Sequence, residues 1–151
     1  MQGAATFLGH PLHPILVPFP IAFFIGSLAC DLIFIFRRTD FWKRAALVLI
    51  GFGILGGLAA AAFGLIDYLT LSLGGEPLED ATAHMIANLV IVALFGVNFF
   101  LRRKNPESKL GLALSLLGVL GLLYSGWLGG EMVYKDGLGV SPEASELLGR
   151  Y

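Results

Sequence analysis

The side chains best suited to chemistry in this sequence are three histidines, His10, His13 and His84, and two carboxylates, Asp67 and Glu131. His10 and His13 stand three apart in the run Gly9-His10-Pro11-Leu12-His13-Pro14, and His84 is followed one helical turn later by Asn88. Imidazoles projecting from facing helices are how bundles hold haem or a metal ion, with carboxylates orienting the rings from behind. One haem iron would take His84 on one side and His13 or His10 on the other, leaving one ring over. Alternatively, His10, His13 and His84 with Glu131 or Asp67 make a three-nitrogen, one-oxygen set suited to zinc, copper or iron. Other chemistries lack their motifs: there is no phosphate-cradling glycine loop, no HExxH, no CxxCH and no nucleophile elbow. Cys30 is the single cysteine, so no internal disulfide forms.

The elements that must position these residues follow from composition. The chain has 151 residues, enough for one domain, and is 56% hydrophobic but only 14% charged. Soluble domains run near 25% charged, so this chain lacks the polar surface to clothe a water-soluble fold. A net charge of −1 excludes a polyanion binder acting by bulk charge, so no nucleic-acid partner is expected. A bilayer needs roughly 20 apolar residues per helix, and four such stretches occur, at about 14–36, 42–70, 80–102 and 109–131. No basic segment or cleavage-like site precedes the first, which reads as retained rather than as a signal peptide. The expected fold is all-α: a four-helix transmembrane bundle, up-down-up-down, in contact with membrane lipids, with an outer C-terminal tail at 137–151. In that tail Ser141, Pro142 and Glu143 suit the start of a short helix.

Charge sets the expected orientation. Eight of the ten basic residues lie in two short connections, Arg37, Arg38, Lys43 and Arg44 in one, Arg102, Arg103, Lys104 and Lys109 in the other. Short basic loops stay in the cytoplasm, which places both termini outside. His10, His13, Asp67, His84 and Glu131 then fall at one depth, on the outer boundary, although four separate spans supply them. His84, Asn88, Phe95 and Asn98 share one stripe of the third span, and Tyr124, Trp127 and Glu131 one stripe of the fourth. Polar groups are costly against lipid, so both stripes are expected to face inward. Gly53 with Gly57, and Gly126 with Gly130, would let helices approach closely.

Plainer roles compete for the same residues. His10 and His13 suit interfacial anchoring or capping, and His84 a hydrogen bond to Asp67 or Glu131. Trp127, Tyr68 and Tyr134 suit an aromatic belt, and Glu79 and Asp80 the start of a helix. Asp31 lies toward the inner end, where it would reach for Arg37 and Arg38 or bond Asn98.

The combination Gly9-His10-Pro11-Leu12-His13-Pro14, Phe19-Pro20, Gly64 with Asp67, His84 with Asn88, Gly126-Trp127-Leu128-Gly129-Gly130-Glu131, Val133-Tyr134, and Gly137, Gly139 and Val140 resembles the bacterial membrane-protein family catalogued as domain of unknown function 2231. The resemblance covers about residues 9 to 140. It implies a small four-helix protein of the bacterial inner membrane. Some relatives are fused to Rieske iron–sulfur or cytochrome-type domains, which by association implies electron transfer. Pro18 and Asp136 stand where relatives often carry further histidines, so a second haem is not expected. The expectation is a small b-type cytochrome-like subunit binding haem b, or a zinc, copper or iron ion, at its outer face. His10, His13 and His84 would be the ligand candidates, Asp67 and Glu131 would balance or orient them, and Trp127 and Phe19 would wall the pocket. Its partners would be a Rieske-type or cytochrome protein or a quinone, within a homo- or hetero-oligomer. The alternatives are a non-catalytic anchor or assembly subunit and a zinc- or copper-handling membrane protein. A transporter is least favoured, because no span is broken at mid-membrane.

Overall fold

Chain direction reverses first in a tight two-residue turn. Leu8 and Gly9 both take positive φ, 50° and 82°, the mirror-image turn that matches the twist of paired strands. It joins two short strands, β1 (Thr6–Phe7) and β2 (His10–Pro11), with Phe7 opposite His10. A five-residue helix α1 (Leu12–Leu16) follows, and four long helices come after it: α2 (Pro18–Arg37), α3 (Asp40–Thr70), α4 (Glu76–Lys104) and α5 (Lys109–Tyr134). The computed structural model describes residues 4–140. The short helix expected at Ser141–Glu143 lies outside the described residues.

All four long helices are long and apolar enough to cross a membrane, α1 and α2 together making the first crossing. Proline spacing explains that division, since Pro14, Pro18 and Pro20 each withhold a backbone N–H. The second span ends at Leu71 and the third starts from Gly75, whose φ of 62° suits a residue without Cβ. Ser108 caps α5 by accepting a hydrogen bond from the Gly111 N–H at 3.2 Å.

The helices close in a ring. α2 packs against α3 and α5, α4 against α5 and α3, and α1 lies on α3. Phe24 and Phe95 stack at the centre, rings 3.7 Å apart and nearly parallel, joined by Ile50, Ile91 and Leu122. Glycine makes this stack fit: a Cβ on Gly53 would collide with the Phe24 ring, and one on Gly118 with the Phe95 ring. Gly57 is likewise closed in, by Val92. A Cβ on Gly126 or Gly130, expected to permit close approach, would meet no neighbouring helix; Gly118 and Gly111 serve α5 instead. The outward faces carry Phe36, Phe52, Leu55, Phe100 and Leu123, all more than half exposed, as lipid-facing helices require.

The basic end of the bundle is held by charge. Asp31 of α2 and Arg102 of α4 form a two-pronged ion pair, with Nη2 to Oδ2 at 2.7 Å and both side chains buried. Asn98 accepts from Arg102 Nε at 2.8 Å and donates to Ser115 Oγ of α5 at 2.9 Å. The sequence places Arg102 among the loop cations and predicts that Asp31 reaches Arg37 and Arg38 or bonds Asn98. Instead each is the other's partner, because a charge this near the helix interior needs a counter-ion at fixed geometry. Lys43 stitches the two basic connections together by bonding Glu107 at 2.8 Å.

Two outcomes follow. Gly118→Ala should lower the unfolding free energy in detergent by about 1–3 kcal/mol for overpacking, whereas Gly126→Ala should leave it unchanged. Asp31→Asn should cost about 3–5 kcal/mol by stranding a buried guanidinium, and the double change Asp31→Leu with Arg102→Met should recover most of it.

Candidate functional site

The alternation of helix direction brings the start of α1 and the start of α4 to the end of the bundle where α3 and α5 finish. His13 enters from α1 and His84 from α4, 71 positions apart in sequence. Their ring centres stand 6.2 Å apart with planes at 84°. Both line one small cavity between the helices, with Asn88, Ser125, Gly57 and Ala60 among its walls.

Each ring is fixed in the same way. His13 Nδ1 lies 2.7 Å from the Ala60 carbonyl of α3, and His84 Nδ1 lies 3.0 Å from the Ser125 carbonyl of α5. A carbonyl only accepts, so both Nδ1 atoms carry the proton, and in the neutral rings both Nε2 atoms keep a lone pair. The carbonyls are reachable for a common reason. The residue one turn beyond Ala60 is Gly64, and the residue one turn beyond Ser125 is Gly129. A Cβ on Gly64 would sit 2.8 Å from His13 Nδ1, and one on Gly129 3.4 Å from the His84 ring.

The Nε2 atoms differ. The Asn88 amide stands 3.1 Å from His84 Nε2, and also donates to the His84 carbonyl at 2.9 Å and to Ser125 Oγ at 2.7 Å. For His13 Nε2 no hydrogen bond is found among the described residues. The arrangement therefore offers one open nitrogen lone pair and a second that a hydrogen-bond donor occupies.

Other expected members lie elsewhere. His10 is exposed on β2 and outside the cavity. Asp67 accepts the Ala5 N–H at 3.0 Å, clamping the N-terminal ribbon to α3 rather than orienting an imidazole. Glu131 makes no side-chain hydrogen bond to His84, whose partners are Asn88 and Ser125. Trp127 is 61% exposed, Phe19 54% and Tyr124 54%, and none of them lines the cavity. Trp127 and Tyr124 instead neighbour each other at 6.4 Å on the outer surface, an interfacial position that amphipathic rings tolerate. The inward face of α5 is Gly111, Ser115, Gly118, Leu122, Ser125 and Leu128. Ser125 and Ala60 were not foreseen as site members; a small residue four before a glycine at the same helix end is the signal that finds them.

The donors present bear on what could be held here. His13 and His84, with ring centres 6.2 Å apart, are the residues that would hold a metal ion here. An N–H tied to a backbone carbonyl is also the usual support of a ligating imidazole. However, the set of three imidazoles with a carboxylate is not assembled: among the described residues no three His, Cys, Asp or Glu side chains form a group able to hold a metal ion. The cavity measures about 70 Å³, whereas pockets enclosing an organic ligand run about 300–1,000 Å³. As packed, the space admits an ion or a few waters and does not enclose a porphyrin.

Beyond the cavity, Lys135 follows the end of α5 and pairs with Glu76 at the start of α4. That hydrogen bond holds the ammonium pKa above its ordinary value.

Comparison with known proteins adds one finding. The family model described as "Predicted membrane protein (DUF2231)" matches residues 9–142. No curated protein and no solved structure matches. The matched stretch takes in both histidines, the glycines behind them and all four crossings, and the chain belongs to this family of multi-pass membrane proteins.

Proposed function

We propose that the chain is a small electron-transfer subunit of the bacterial inner membrane. Its bundle interior holds one redox metal centre between His13 and His84, at the end remote from the basic loops. The observation that carries this reading is the imidazole pair itself: two rings from distant segments, 6.2 Å apart, each with Nδ1–H committed to a helix carbonyl. Nothing in packing alone requires two rings to present the same nitrogen in the same way. Copper and iron suit imidazole donors and carry an electron. Haem b iron would be held by the same two imidazoles, but it requires the helices to part beyond the 70 Å³ cavity between them. His13 would supply the ready ligand, and the Asn88 amide would have to turn from His84 Nε2 before that ring could join it. A quinone or a Rieske-type or cytochrome protein outside the bilayer would exchange the electron.

A second reading has its own support. Both nitrogens of His84 are already hydrogen-bonded within the protein, as in an anchor or assembly subunit whose imidazoles only tie helices together.

A reduced-minus-oxidised visible spectrum and the metal content of one membrane-purified preparation separate the two. The first reading expects a redox-dependent band or near-stoichiometric copper or iron, lost in both His13→Ala and His84→Ala. The second expects neither signal, with His84→Ala lowering the unfolding midpoint.

A further inference from the structure

A second cavity lies at the other end of the bundle. It measures about 460 Å³ and opens between the two basic connections, where α2 ends and α5 begins. Its lining includes four cations, Arg38, Lys43, Arg102 and Lys109, and two carboxylates, Asp31 and Glu107. Both carboxylates are engaged, Asp31 by Arg102 and Glu107 by Lys43. Arg38 and Lys109 form no ion pair among the described residues, so the cavity carries a surplus of two positive charges.

The geometry focuses that surplus. The Phe34 ring forms part of the wall, with the Arg38 guanidinium 5.5 Å and the Lys43 ammonium 5.2 Å from its centre. Arg38 is held there by the backbone, since it ends α2 in a left-handed conformation (φ 52°) with its N–H on the Phe34 carbonyl at 2.9 Å. A non-glycine residue in that conformation aims its side chain differently from one continuing the helix. Ile35 and Leu112 add apolar wall, and Ile35 is also open to the lipid-facing surface. Cations converging beside an apolar wall at the end of a membrane bundle match an amphiphile with an anionic head.

We propose that this cavity binds a phosphate-bearing anion through Arg38 and Lys109, the occupant in the membrane being the headgroup of an acidic phospholipid. Its acyl chains would run down the outside of α2 past Ile35. Arg102 and Lys43 line the cavity but are spoken for by carboxylates; they shape the site rather than supply its free charge. The site is independent of the imidazole pair at the far end.

Fluorescence quenching tests this on the full chain. The protein has two tryptophans, and Trp127→Phe leaves Trp42, the neighbour of Lys43, as reporter. In vesicles of phosphatidylcholine doped with a brominated lipid, brominated phosphatidylglycerol should quench Trp42 more strongly than brominated phosphatidylcholine. Basic residues near an anionic surface are each worth roughly fivefold in affinity, so Arg38→Gln with Lys109→Gln should abolish the preference. The charge-matched change Arg103→Gln with Lys104→Gln, outside the cavity, should largely keep it. If the first double variant does not fold, Lys109→Gln alone, at an exposed position, should reduce the preference by roughly fivefold. Equal quenching by the two lipids in the parent, or equal loss in the two double variants, overturns the proposal. Equal quenching by the two lipids together with binding of inorganic phosphate to the parent protein in detergent would keep the phosphate chemistry but overturn the lipid as occupant.

Discussion

A helix surrounded by lipid gains nothing by hiding its apolar side chains, because the solvent is as apolar as they are. Association must come from close packing and from polar groups that have nowhere else to go. This chain shows both, at different depths. In the middle, Phe24 and Phe95 stack because Gly53 and Gly118 leave room for them. Toward the basic end, Asp31, Arg102, Asn98 and Ser115 satisfy one another across three helices. Toward the other end, two imidazoles each borrow a carbonyl from a neighbouring helix.

Backbone carbonyls inside a helix are ordinarily committed to the N–H one turn later and screened by that residue's side chain. Glycine one turn on removes the screen, so the carbonyl's second lone pair becomes available to an outside donor. Gly64 and Gly129 do this at matching places in the two helical hairpins. The resulting half-sites resemble each other although the hairpins have no evident sequence repeat. What distinguishes them is Asn88, which closes one Nε2 with an amide while the other stays open.

Much of this was legible in the sequence. Span length and loop charge are one-dimensional properties, and they are enough to set four crossings and to bring His13 and His84 to the same end. The orientation of side chains around each helix was harder. Asn88, Phe95 and Asn98 do face inward, but Tyr124 and Trp127 face out, because an aromatic ring with one polar atom is comfortable at a membrane boundary. The interior of α5 belongs instead to glycine and serine, which a search for chemically prominent residues passes over. Partner choice was not legible either. Arg102 reads as one more loop cation until the fold shows Asp31 opposite it, 71 residues away.

The same ion pair constrains how the protein is made. Asp31 leaves the ribosome with the first crossing and must wait for Arg102, which comes at the end of the third. Until then the membrane-insertion machinery handles a first segment carrying a lone acid and, later, a third whose Arg102 lacks its counter-ion. Neither is at ease in hydrocarbon alone. Both are settled when the hairpins meet. Lateral assembly of the hairpins is therefore also the step that neutralises them, and a chain interrupted between the two would present quality-control proteases with an unmatched acidic residue inside the bilayer.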